Sequence, residues 1–154
     1  MSVLESEIAG QAPEATAAAT LLKIAYDRAS FRDLDAEIES SKERILGLAD
    51  NWDGEGSPRY SRATLDRATA FVRAHASWVS DTFGKDAPVP HINPGPEGSI
   101  DIHWKQPTWE LLINVPADAN QKAAFYGDDY GSGTIKGSWE GDRYNSLLRT
   151  WLMR

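Results

Sequence analysis

The hydrophobic and polar positions of this 154-residue chain change period once, near Val89, from a helical repeat to alternation. On the helical side, Phe31, Leu34, Ile38, Ser41, Ile45 and Leu48 recur at spacings of 3, 4, 3, 4 and 3, with Ser30 placed as a cap. Arg32, Asp33, Asp35, Glu37, Glu39, Lys42, Glu43 and Arg44 fill the gaps. Such charges usually form a solvated face, while the heptad-like spacing of the stripe also suits a two-helix seam or a homodimer. A second stripe follows at Leu65, Ala68, Val72, His75 or Ala76, and Val79. Ser61 is its expected N-cap, with Tyr60 and Leu65 positioned as a hydrophobic staple. Gly84, Pro88 and Pro90 should end this helix near Phe83. Ahead of both stripes, an alanine-rich helix is expected from about Pro13, after an arm in which Val3, Leu4 and Ile8 could form a small apolar face.

Beyond Val89 the punctuation is that of turns. A short strand is expected around His91 to Asn93, reversed by Pro94-Gly95-Pro96-Glu97-Gly98 into Ser99 to Lys105. There Ile100, Ile102 and Trp104 share one side, and Asp101, His103 and Lys105 the other. Trp109, Leu111, Ile113 and Val115 define the next strand, Lys122 to Tyr126 another, and Thr134 to Trp139 a last one after a turn over Asp128 to Gly133. Asp142 is placed to cap a closing helix whose Tyr144, Leu147, Leu148, Trp151 and Leu152 form an apolar stripe. These elements predict a two-layer α+β fold: two or three N-terminal helices on a four- to five-stranded antiparallel meander, with a C-terminal helix. Residues 1–29 form the arm and alanine-rich helix, and residues 30–154 a single domain.

Composition narrows the classes of function. A hydrophobic fraction of 41% and a charged fraction of 25% suit a packed domain. The net charge of −7 disfavours direct contact with nucleic acid and favours partners with basic or apolar surfaces. The chain has no cysteine, hence no disulfide, thiolate metal site or cysteine nucleophile. Glu5 and Glu7 stand where a signal peptide would be basic, and no apolar run approaches the roughly 18 residues of a membrane span. A cytoplasmic protein with no membrane association is expected.

The most distinctive local sequence is Asn51-Trp52-Asp53-Gly54-Glu55-Gly56. Asn51, Asp53, Glu55 and Gly56 match the first, third, fifth and sixth positions of a calcium loop, but the twelfth, which calls for a bidentate glutamate, is Arg62. A structural turn is the better reading: Gly54 and Gly56 supply positive φ, Asp53 accepts from nearby backbone N–H groups, and Trp52 anchors the turn on the sheet. Exposed, the same turn could serve recognition, because tryptophan is a frequent interface anchor.

Catalytic patterns are sparse. His75, His91 and His103 show no His-x-x-x-His spacing. Asp101, His103 and Glu110 could share one side of a hairpin and form a small site, although polar side chains are expected on a wet strand face in any case. The run Asp101 to Lys105 departs from the acid-then-lysine strand of metal-dependent nucleases by carrying His103 two residues before the lysine. There is no phosphate-binding glycine loop and no nucleophile elbow, and Gly131-Ser132-Gly133 reads as a hairpin turn. Trp104, Trp109, Tyr126, Tyr130 and Trp139 are expected mostly in the core, with an exposed aromatic patch as the alternative.

Trp52-Asp53-Gly54-Glu55-Gly56, then Pro58 and a capped helix, then Glu97-Gly98-Ser99-Ile100-Asp101-Ile102-His103-Trp104, resembles a group of small bacterial proteins of unknown function. They share a Trp-Asp-Gly-x-Gly turn and a glycine-led strand ending in tryptophan. The resemblance covers roughly residues 45–140 and implies no activity or cofactor; the first 30 residues lie outside it. Together these features predict a non-enzymatic protein-interaction module that needs no cofactor or metal, of the antitoxin, immunity or defence-related kind, with Trp52, Asp53, Glu55 and Trp151 as partner-binding candidates. Two alternatives remain: a small enzyme or ligand-binding protein using Asp101, His103 and Glu110, and an acidic inhibitor of a nucleic-acid-handling complex. The inhibitor would present Asp33, Asp35, Glu37, Glu39 and Glu43 as phosphate surrogates.

Overall fold

The computed structural model describes residues 17, 18, 21, 33–131, 133–140 and 145–154. The chain divides into two units, Met1–Leu34 and Asp35–Arg154. Most of the expected arm and alanine-rich helix, with Ser30, Phe31, Ser132, Asp142 and Tyr144, lies outside the described residues. The described helices are α1 (residues 33–46), α2 (Arg62–Phe83) and α3 (Ser146–Leu152). The strands are β1 (His91–Pro94), β2 (Ile100–Lys105), β3 (Glu110–Val115), β4 (Ala123–Asp128) and β5 (Thr134–Trp139), with a short 3-10 turn at Pro96–Gly98. The strands pair antiparallel in chain order, β1-β2-β3-β4-β5, which completes the expected α+β meander.

Helix α2 forms as its sequence dictates. Ser61 has extended backbone and its hydroxyl accepts the Thr64 N–H, while Gly84 takes the left-handed conformation and donates to the Ser80 carbonyl. Leu65, Ala68, Thr69, Val72, His75 and Val79 are buried along one face. Beneath it the sheet offers Ile92, Ile100, Ile102, Trp104, Leu111 and Ile113, none more than 1% exposed. Each such side chain removed from water contributes roughly 1.5–3 kcal/mol, so this seam holds the two layers together.

The α1 stripe is also buried, at Leu34, Ile38, Ser41 and Ile45, which makes it an internal face and not a free seam. Its charged residues have specific tasks. Ile92 stands opposite Ile102 on the edge strand β1. Its outward N–H donates to Glu37 Oε1 (3.3 Å), and its carbonyl accepts from the Arg44 guanidinium (2.8 Å). An unpaired sheet edge is an aggregation hazard, and these two side chains cover this one. Asp35 and Glu39 both face Arg73 of α2, and Lys42 faces Asp66. The face expected to be merely solvated therefore joins α1 to α2 and β1.

Two elements differ from expectation. Strand β4 runs two residues further, because Gly127, which reads as a turn residue, stays in the ladder opposite Leu111. Its missing side chain makes room: a Cβ there would sit 2.8 Å from Ile135 Cγ1 and 2.9 Å from Trp151 Cε2. Helix α3 is capped by Asn145, whose side chain accepts the Leu148 N–H; the expected cap, Asp142, lies outside the described residues. Starting there, it turns Leu148, Trp151 and Leu152 inward and leaves Leu147 exposed.

Gly127→Ala should destabilise the protein by roughly 1–3 kcal/mol, as overpacking does in a rigid site. Gly131→Ala, whose added Cβ meets nothing within 4 Å, should leave stability unchanged or slightly raised. Urea titration followed by tryptophan fluorescence measures both.

Candidate functional site

Among the described residues, the helices of the larger unit pack on the side of the sheet that carries Ile100, Ile102 and Trp104, and the other side carries the more exposed positions. In register it carries His91 and Asn93 of β1, then Asp101 and His103 of β2, and Leu112 and Asn114 of β3. Opposite Leu112 stands Tyr126 of β4, which in turn faces Lys136 of β5.

The three residues expected to share a site do lie on this face, in two separate arrangements. His103 Nε2–H donates to Glu110 Oε2 at 3.0 Å, each side chain being 29% exposed. Asp101 faces its cross-strand partner, and its Oδ1 accepts from Asn114 Nδ2 (2.8 Å), which also reaches the Ser99 hydroxyl. Asp101 thus helps fix the start of β2, and His103 and Glu110 form a diagonal pair. Among the described residues, no three acidic or histidine side chains converge as a metal site.

Beside Glu110 stands Tyr130, held at positive φ with its N–H donating to Asp128 Oδ1. Its phenol pKa is raised, first by loss of water around it, then by the charges of Glu110 and Asp128. Leu112, Tyr126 and Tyr130 are 37%, 45% and 48% exposed. Leu112 and Tyr126 stand opposite each other on β3 and β4, and Tyr130 lies in the turn after β4, near Glu110.

The acidic turn is closed on itself. Asp53 Oδ1 accepts the N–H groups of Glu55 and Ser57, and its Oδ2 accepts the Ser57 hydroxyl. Asn51 Oδ1 accepts the Gly56 N–H, and Asp50 Oδ1 accepts that of Arg59. The Asp53 carboxyl is held below its usual pKa, chiefly by the Ser57 hydroxyl and then by the Glu55 N–H. Asn51, Gly54 and Gly56 all have positive φ. Trp52 is 41% exposed and leans on Tyr60, with ring centroids 6.3 Å apart. The Tyr60 hydroxyl donates to the Gly95 carbonyl in the β1–β2 turn, so Trp52 reaches the sheet through Tyr60 and not directly.

The partner-binding candidates do not form one patch. Trp151, read as a surface anchor, is 4% exposed; its indole N–H donates to the Glu110 carbonyl and its ring covers Gly127. It belongs to the core at the β4 side of the sheet. Trp52, Asp53 and Glu55 stay exposed by the β1–β2 turn, towards the other edge.

Of the histidines, only His75 is buried. Its ring lies near Trp78 and edge-on to Trp104, with centroids 6.1 Å away in each case. Burial, with the Arg149 charge, lowers its pKa from 6.5 to about 4. The unfolded chain therefore takes up a proton below pH 6.5 that the fold refuses until about pH 4. Stability should fall as pH drops through that window and level off below it, by about 3 kcal/mol at most. Urea titrations from pH 7.5 to 3.5 should show this extra slope in the wild type and its loss in His75→Gln.

Among the described residues no helix is long and apolar enough to cross a membrane. No protein family, no curated protein and no solved structure matches this chain.

Proposed function

We propose that this chain is a non-enzymatic interaction module that docks another protein on the open face of its sheet. The observation that carries this reading is the exposure of Leu112 and Tyr126, cross-strand neighbours on that face, with Tyr130 also exposed in the turn after β4. Tyrosine is enriched where binding energy concentrates, because it buries a large, rigid area and keeps a polar tip. The polar side chains around the cluster are already bonded to one another, His103 to Glu110 and Asp101 to Asn114, so docking would not strand them.

Charge points to the kind of partner. Asp101, Glu110 and Asp128 lie on this face of a chain with net charge −7, against Lys105 and Lys136. A partner with an apolar centre and a basic rim fits, and a second copy of the same acidic surface fits less well. An antitoxin or immunity protein acts in this way, by covering another protein without chemistry. The phosphate-surrogate reading is weaker, because Asp35 and Glu37 are engaged inside the fold.

A photo-crosslinking residue in place of Tyr126 should capture one partner in the native host, while the same residue in place of Asp81, on the exposed side of α2, should not. Tyr126→Asp should lower affinity for that partner at least tenfold and leave thermal stability unchanged. Equal capture from both positions, or none from Tyr126, would remove the proposal.

A further inference from the structure

Where β1 meets β2, the open face carries two histidines side by side. His91 and His103 are Cα partners in the antiparallel pair, and the next pair on the same face is Asn93 with Asp101. Packing leaves this register no freedom, because Ile92 and Ile102, paired between them, are fully buried and a slip of one residue would turn one of them out to solvent. The backbone beneath is also pinned. Glu37 and Arg44 bond the outward groups of Ile92, and the Tyr60 hydroxyl holds the Gly95 carbonyl in the turn. Side chains directly opposite on one face start from Cβ atoms about 4.5–5.5 Å apart. Two imidazoles rising from such a pair can each bring a nitrogen to one tetrahedral ion, whose bonds of about 2.0–2.1 Å ask for nitrogens about 3.4 Å apart.

A wet strand face holds polar residues in any case, so the pair alone decides little. Glu110 sets it apart. A carboxylate can only accept, so the 3.0 Å contact with Glu110 places the proton of the neutral His103 ring on Nε2 and leaves the lone pair on Nδ1. A carboxylate that takes one ring N–H and frees the other nitrogen is the arrangement that orients metal-bound histidines and raises their basicity. His91 is exposed, so its ring is free to turn towards an ion held by His103.

We infer that His91 and His103 together bind one divalent transition-metal ion of the zinc class, through His103 Nδ1 and one nitrogen of His91, with Glu110 as a positioning residue behind His103. Among the described residues no three acidic or histidine side chains converge, so the other positions of the ion fall to water. The surrounding charges select the kind of ion. Asp101 and Glu110 are opposed by Lys105 on the same face and by Arg44 at the edge, which leaves little net field to attract a bare cation. Affinity then comes from the imidazole lone pairs, which suit zinc and its neighbours, whereas magnesium and calcium take oxygen. Such binding needs no protein docked at Leu112 and Tyr126, so the free chain suffices to test it.

The test uses the full chain, nitrogen-15 labelled, free of any histidine tag and titrated with zinc chloride near neutral pH. The ring signals of His91 and His103 should move together and saturate at one ion per chain, while those of His75, buried against Trp78 and Trp104, stay in place. Magnesium should move none of them. His91→Gln, a change at an exposed position, should weaken zinc binding at least tenfold, with the thermal melt of the zinc-free chain unchanged. Glu110→Ala should end the preference of His103 for the Nε2–H tautomer, visible in its ring nitrogen shifts, and weaken zinc about tenfold. No saturable movement of either ring, movement of one ring alone, or zinc affinity that survives His91→Gln would overturn the inference. Undiminished zinc affinity in Glu110→Ala would overturn the part given to Glu110.

Discussion

The burial of Trp104 is the interaction on which the architecture turns. Its side chain, 1% exposed, projects from β2 into the layer under α2, where it meets Phe71 and His75 edge-on. An indole placed so deeply must satisfy its N–H, and it does so on the Pro88 carbonyl in the link between α2 and β1. One side chain thereby fixes the height of α2 over the sheet and the path by which the chain leaves it. The apolar side of β2 and β3 then has a single cover. Among the described residues no helix packs on the opposite side, which carries mostly polar side chains around Leu112 and Tyr126.

A one-sided sheet has edges to manage as well as faces. On β1 the problem is met by Glu37 and Arg44, which bond the outward N–H and carbonyl of Ile92. Two long charged side chains lose freedom in doing so, and they gain from replacing water on groups that a neighbouring chain could otherwise engage. On β5, the other edge strand, Lys136 supplies a charged side chain of the kind that discourages pairing with a neighbouring chain. The acidic composition of α1 thus has a structural explanation in part: Glu37 serves the edge strand, and Asp35 and Glu39 serve Arg73.

Much of this was legible in the sequence because local signals and the global fold agree. Ser61, Gly84 and the spacing from Leu65 to Val79 defined α2, and alternation at Ile100, Ile102 and Trp104 set which way β2 faces. The failures fall where a residue's reason lies far along the chain. Gly127 looks like a turn until the Trp151 ring is seen against it. Asn145 caps α3, a start that turns Leu148, Trp151 and Leu152 inward together. Asp101, His103 and Glu110 were placed on the right face, but register decides the pairs: Asp101 faces Asn114, and His103 reaches Glu110 on the diagonal.

The two surfaces left by this fold differ in what they lack. On the open face the polar groups are paired among themselves, and what stays uncovered is apolar and aromatic area at Leu112, Tyr126 and Tyr130. Such a surface gains by burial against a broad partner and asks little of that partner's geometry. On the helix side the balance is reversed: the apolar side chains of Leu65, Val72, Ile102, Trp104 and Leu148 are already enclosed between the helices and the sheet, so burial there is complete within the fold itself.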